Sequence, residues 1–274
     1  MAIATPESEA AQPAMHETAP SVYLIARPSV DREAMRAYLD EVRGNAWLEN
    51  RTAEGTSTDA EMLIEFAGRM CYRSWEPGLN PNVTRIRTDK DEYFGNLLRS
   101  LHGSVLEHAN YSFAFHNVSR VFTHELVRHR AGSAFSQESL RYVRLTDIGF
   151  RVPPALEPIR DQVISLVEQL EEFQVSAASR LGLGEEGLAF AVKKEITSAL
   201  RRLAPIGLST DIVWTANVRT LRHVVEMRTA PGAEEELRLV FDEVAKLARA
   251  QAPGLFQDFV RREDGSWVPE YHKV

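Results

Sequence analysis

The chain is poor in cysteine: Cys71 stands alone, so no internal disulfide can form, and a reducing compartment fits. No apolar run approaches the ~18 to 20 residues that a membrane-spanning helix needs; stretches such as residues 22–26 break within a few positions. The first twenty residues contain neither Arg nor Lys and no continuous apolar core, which argues against a secretory signal or transit peptide. A disordered tail is expected over 1–20, and the cytoplasm is the expected compartment. An excess of positive charge is also missing. With a net charge of −7 and a pI near 5.7, the molecule as a whole repels polyanions. Arginines nevertheless cluster over 120–144 and 201–228, so a local anion site is expected, with no nucleic-acid groove and no membrane partner. Metal-ligand spacing is absent too. His102, His108, His116, His124 and His129 lie close together, but no HExxH or cysteine-based pattern occurs, and the fourth place after His124 is Arg128. No metal site is expected.

What is present is an ordinary globular composition, 44% apolar and 26% charged, enough for one substantial core. A single catalytic domain is expected over 21–274. Residues 22–26 read as a strand, 31–42 as a helix capped by Asp31, and 45–58 as a loop rich in Asn, Gly, Thr and Ser. Thr58 or Asp59 can cap a helix to about Tyr72, and 90–101 reads as another. Partial alternation over 105–116, with Tyr111, Phe113 and Phe115 on one side, predicts a strand. A helix follows, capped by Asn117 or Ser119, with Val118, Val121, Phe122 and Leu126 as its apolar stripe. Two long helices are expected over 156–181 and 185–203, a strand over 206–215, and helices over 217–228 and 233–251. Strands and helices do not alternate regularly, which favours an α+β domain over a doubly wound sheet.

The run Arg128-His129-Arg130 followed by small residues, Gln137, Ser139 and Arg141 is unusual. Arginine forks bind phosphate through paired hydrogen bonds, and serine hydroxyls with free backbone N–H groups complete such a cradle. A solvated helix end favoured by the C-terminal dipole would use the same residues, and physics alone weighs the two equally.

This run resembles the RHR-(seven residues)-Ser signature of the flavin-dependent thymidylate synthases, followed by their Ser-x-Arg-Tyr. Here eight residues separate Arg130 from Ser139, and the extra one is placed near 132–134. Three further blocks in the expected order support the resemblance. His102-Gly-Ser104-Val-Leu-Glu107-His108 is similar to an upstream His-x-Thr/Ser-x-x-Glu-His segment, and Asn217-Val-Arg219 through Arg228 to a downstream Asn-x-Arg…Arg helix. Arg69-Met-Cys71-Tyr72 is a weaker fourth block.

The resemblance implies an α+β fold with a mixed, largely antiparallel sheet packed with long helices. It also implies a homotetramer with shared active sites that binds FAD, 5,10-methylenetetrahydrofolate and NADPH. The implied reaction is C5 methylation of dUMP to dTMP, in which NADPH reduces the flavin and the flavin relays the one-carbon unit from the folate. The same chemistry on UMP, giving 5-methyl-UMP for nucleoside biosynthesis, is the alternative, since one ribose hydroxyl separates the substrates. A nucleotide- or RNA-binding protein without catalysis is disfavoured by the acidic total charge.

By position, Arg120, Glu125, Gln137, Ser139, Arg141 and Arg201 match family residues around the nucleotide, and Arg228 the arginine on the pyrimidine ring. Arg228 is the best catalytic candidate, joined by Ser139. Ser104, Glu107, Arg128, His129, Arg130, Asn217 and Arg219 match flavin contacts, Met227 takes an apolar place against the flavin, and His102 is expected near the folate. Gly232 stands where some members have a histidine. Ser139 has no general base at a recognisable spacing, so it is read as a hydrogen-bonding ligand, not a nucleophile. Cys71, at the end of an apolar helical segment, is expected to be a buried, inert thiol.

Overall fold

The computed structural model describes residues 15–141, 145 and 147–274. Within the expected tail, His16–Glu17 form a short strand, β1, and β2 follows at Ser21–Ala26. Helix α1 (Arg32–Val42) starts at Asp31, whose side chain accepts from the backbone N–H groups of Glu33 and Ala34, both at 3.0 Å. The predicted loop over 45–58 is instead largely a helix, α2 (Asn45–Glu54), bracketed by Gly44 and by Gly55 at φ 63°. Its polar composition hides an inward face: Trp47, Leu48 and Arg51 are buried. Tertiary packing outweighs weak helix propensity here. Trp47 and Leu48 join Met35, Leu39, Met62 and Trp75 in one core cluster.

Helix α3 (Asp59–Tyr72) opens on a capping box between Thr58 and Glu61, and α4 spans Lys90–Arg99. The strand expected from residue 105 begins later. Gly103–His108 form a 3-10 turn, because Val105 and Leu106 are buried side by side and cannot alternate across a sheet. Strand β3 then runs over Asn110–Ser119, burying Tyr111, Phe113 and Phe115 as the alternation predicted. Helix α5 (Arg120–Leu126) follows with Ser119 Oγ accepting from Phe122 N at 3.1 Å.

Sequence reading missed β4 (Ser133–Gln137), a short polar strand in the expected small-residue loop. After β5 (Gly149–Phe150) come α6 (Arg160–Arg180) and α7 (Phe190–Leu200), both shorter than expected. Pro158 lies in a 3-10 turn before α6, and Gly187 at φ 85° precedes α7. Strand β6 (Ser209–Asn217), α8 (Val218–Thr229), α9 (Glu235–Gln251), β7 (Phe259–Arg261) and β8 (Trp267–Pro269) complete the fold.

The main sheet has the order β2-β3-β6-β4. Ser112 bonds Thr215 while His116 bonds Asp211, and Gly132 pairs with Asn217 while Glu138 pairs with Asp211. Rising numbers on one strand meet falling numbers on the next, so β3–β6 and β6–β4 are antiparallel. Strands β7 and β8 are also antiparallel, whereas β1 and β5 pair in parallel. The α+β class with a largely antiparallel sheet is therefore as expected.

The described residues group into two compact units. The first comprises 15–21, 116–125 and 136–212, apart from the positions not described; the second comprises 22–115, 126–135 and 213–274. In the first, Ile148, Phe150, Val152, Val167 and Leu208 form a core with Leu145. In the second, Phe113 and Phe115 stack on Trp214, and Phe241 meets Trp214 edge to face and tilts against Phe115, with ring centroids 5.6 to 6.4 Å apart. Each such ring contributes roughly 1.5–3 kcal/mol by burial. Among the described residues no helix is long and apolar enough to cross a membrane.

Candidate functional site

The junction of β6 and α8 builds the site in the second unit. Asn217 ends the strand and caps the helix, its side-chain oxygen accepting from Thr220 N at 2.8 Å and its backbone N–H donating to Gly132 O at 3.1 Å. Thr220 Oγ1 donates to Ala131 O at 2.7 Å. Gly132 adopts φ 65°, and a Cβ there would lie 2.3 Å from Asn217 Nδ2 and 2.5 Å from Thr220 Oγ1. Only glycine lets the Arg128-His129-Arg130 segment close onto α8 in this way.

The result is a cleft of about 620 Å³. It gathers Glu107, Arg128, His129, Arg130, Asn217 and Arg219, six of the residues matched to flavin contacts. Arg219 donates from Nη1 to Glu107 Oε1 at 2.7 Å and from Nε to Val274 O at 2.9 Å. Both partners of the ion pair are about half exposed, so it contributes at most about 1 kcal/mol and mainly orients the guanidinium. Arg128 and Arg130 are exposed and make no side-chain hydrogen bond or ion pair among the described residues. Two arginines left without an anion in a cleft make a receptor for one.

Arg228 reaches the same segment: its Nε–H donates to His129 Nε2 at 2.7 Å. Arginine has no acceptor and keeps its protons, so that imidazole nitrogen carries none. Burial, reinforced by the charge of Arg228 and by His223, lowers the His129 pKa to about 4, and the ring is neutral with its proton on Nδ1. The rings of His129 and His223 meet edge to face, 6.1 Å apart.

His223, Thr220 and Lys273 line this cleft and were not singled out from sequence. His223 had a usable signal, since Arg219, His223 and Met227 recur every fourth residue along one face of α8. Met227 itself is 46% exposed and does not line the cleft. Nor do His102 and Ser104: Ser104 lies exposed in the 3-10 turn, and His102 packs edge-on against Tyr72 with centroids 5.6 Å apart.

The residues matched to the nucleotide lie in the first unit, Arg228 excepted. Arg120 donates from Nη2 to Glu138 O at 3.1 Å, while its buried Nε has no hydrogen-bond partner among the described residues. Burial lowers the pKa of its guanidinium, and Arg201 lowers it further against the opposing pull of Glu138. Gln137 donates to Thr123 Oγ1 at 3.1 Å, and Glu125 is half-buried on α5. Ser139 Oγ accepts from Arg141 N at 3.3 Å; no base bonds to it among the described residues. Tyr142, the last residue of the Ser-x-Arg-Tyr match, and Arg144 lie outside the described residues. Among the described residues no group of three His, Cys, Asp or Glu could hold a metal ion. Cys71, expected to be buried, is exposed at the end of α3, because the helix turns its Ala67 and Gly68 face inward instead.

The weaker sequence block has a structural use. Arg69 is buried and donates to Glu65 Oε1 at 2.8 Å from Nε, and Glu65 also takes Arg51 Nε at 2.7 Å and Nη2 at 2.9 Å.

Comparison with known proteins adds to this geometry. A family model described as thymidylate synthase complementing protein matches residues 55–254. A protein of Mycolicibacterium gilvum named flavin-dependent thymidylate synthase is 36% identical over 212 residues, covering 74% of this chain and 82% of the relative. A protein of the same name from Mycobacterium tuberculosis is 36% identical over 211 residues, with the same two shares. The crystal structure of a UMP/dUMP methylase from Streptomyces cacaoi bound with 5-Br UMP superposes with a TM-score of 0.58 at 18% identity, covering 88% of this chain and 95% of that one, a likeness of fold.

Proposed function

The chain belongs to the flavin-dependent thymidylate synthase family, and on that premise we propose that it methylates C5 of a uridine monophosphate, converting dUMP to dTMP. The cofactors of this reading are FAD and 5,10-methylenetetrahydrofolate, with NADPH as reductant. The assembly is a homotetramer with shared active sites, in the cytoplasm. The observation that carries the reading is the pair of arginines, Arg128 and Arg130, which have no anionic partner among the described residues, in the cleft that Arg228 joins through His129.

The residues present fit a flavin dinucleotide. Arg128, Arg130 and Arg219 hold its pyrophosphate, with Glu107 keeping Arg219 in place. When bound, FAD supplies the redox chemistry that links the reductant to the one-carbon unit. Arg120, whose Nε has no hydrogen-bond partner among the described residues, binds the nucleotide phosphate together with Arg141 and Arg201, and Gln137 and Ser139 add hydrogen bonds. Arg228 stabilises negative charge that builds on the pyrimidine carbonyls as C5 becomes nucleophilic. His129, neutral and accepting from Arg228 Nε, fixes the orientation of that guanidinium.

The test is to purify the protein, record its visible spectrum, and assay dUMP and UMP side by side with methylenetetrahydrofolate and NADPH. A flavin spectrum with turnover of dUMP is expected. Comparable or faster turnover of UMP would move the chain to nucleoside biosynthesis, and a colourless protein that takes up no FAD would end the reading.

A further inference from the structure

The second unit holds another cleft, about 520 Å³, between the end of α3, the 74–87 segment and α4. Its basic side chains include three arginines, Arg69, Arg85 and Arg87, with His102 beside them, and among the described residues no carboxylate lines it. Arg69 is matched by buried Glu65, but Arg85 and Arg87 share one carboxylate, Glu92, at 2.7 and 3.6 Å. Among the described residues one guanidinium charge is left over. The rim is apolar and open: Tyr72 is 54% exposed and Leu101 53%. Leu101 holds φ 53°, a left-handed conformation that a bulky side chain adopts at a cost. An aromatic ledge of Tyr72 with His102 edge-on, beside surplus positive charge, suits a planar heterocycle with an anionic tail.

The position of this cleft gives it meaning. His102 lines it, and the next residue, Gly103, abuts the first cleft. A Cβ on Gly103 would fall 2.3 Å from the Val274 carbonyl carbon and 2.9 Å from Arg219 Nε. The wall between the two clefts is there no thicker than a backbone. Glu107, four residues on, already faces the first cleft.

We propose that this second cleft docks a co-substrate that reacts with the flavin, holding its anionic tail on Arg85 and Arg87 and its ring against Tyr72 and Leu101. The inference rests on the flavin reading above. The shared ligand chemistry is an anion carried by a heterocycle, either the glutamate carboxylates of the folate or the 2′-phosphate of NADPH.

The experiment uses the FAD-loaded protein and the double variant Arg85→Gln, Arg87→Gln, with Tyr72→Ser as a second probe on the apolar side. The Michaelis constant is measured for mono- and pentaglutamyl methylenetetrahydrofolate and for NADPH against NADH. For one co-substrate it is expected to rise about tenfold in the double variant, with a far smaller fall in saturating turnover and an unchanged flavin content. Lost preference for the pentaglutamate assigns the folate tail, and lost preference for NADPH over NADH assigns the phosphate. Unchanged constants for both, in both variants, overturn the proposal. Should the wild-type protein bind FAD yet methylate nothing, the functional reading fails by itself. Equilibrium dialysis of NADPH and tetrahydrofolate against wild type and variant still tests the cleft, and equal binding refutes it.

Discussion

Arg69 and Arg128 are the same residue type put to opposite uses within one unit. Arg69 is 2% exposed, clamped on Glu65 beside Arg51, with Nη1 on Ser74 O at 2.8 Å and its guanidinium 4.8 Å from the Tyr93 ring centroid. Arg128 and Arg130 are exposed and carry no such clamp among the described residues. A caged arginine joins α2 to α3; an uncaged one in a cleft waits for a ligand. An arginine in a family block is thus not automatically a ligand-binding arginine, and its neighbours decide.

The sharpest way to break this contrast is to remove the cage. Glu65→Ala leaves the buried guanidinium of Arg69 without its carboxylate and that of Arg51 with Glu54 alone, and a loss of about 3–5 kcal/mol is expected. Chemical denaturation measures it, and a loss below about 1 kcal/mol would mean that the network is not structural. Next in size, Arg228→Ala is expected to lower kcat by about 10²- to 10³-fold while leaving the denaturation midpoint nearly unchanged. Steady-state kinetics with dUMP check this, and a fall in stability of the size expected for Glu65→Ala would place Arg228 among the caged arginines. Smaller still, Arg128→Ala and Arg130→Ala should each weaken FAD binding about tenfold, as the loss of one charge-assisted hydrogen bond does, read by flavin fluorescence at two salt concentrations.

The smallest effect concerns His129. Its folded pKa of about 4 lies below the ordinary 6.5, so the unfolded chain binds the proton more readily. The stability from keeping it neutral is complete above pH 6.5 and is lost as pH falls toward 4. His129→Gln, which offers an acceptor near the position of Nε2, should keep the hold on Arg228 and flatten that pH slope, whereas His129→Leu should lower kcat at every pH. Equal activity of the two variants would show that the Arg228 contact orients nothing.

Much of this was legible beforehand. Asp31 and Thr58 announced helix starts because capping is local chemistry, and Phe113 and Phe115 announced an inward strand face through spacing alone. The family resemblance, not spacing, singled out Arg128, His129, Arg130, Asn217 and Arg219, and the structure gathers them in the first cleft. Helix α2 was not legible, because Trp47 and Arg51 gain their reason to be helical only from α1 and α3. Strand β4 was hidden for a similar reason, since its pairing with β6 is what stabilises SAFSQ as a strand. His102 and Met227 matched a pattern but do not line the first cleft, and the second cleft has no sequence motif, being made where three distant segments meet.

Neither compact unit is a continuous stretch of chain: each is assembled from three segments, and β3, β4 and β6 each contribute residues to both. The residues matched to the nucleotide and those matched to the flavin therefore alternate along one polypeptide. No truncation can yield one half without severing strands of the other. Neither unit can be exchanged as a module, and changes to the residues matched to the nucleotide must be made one by one within a common inheritance.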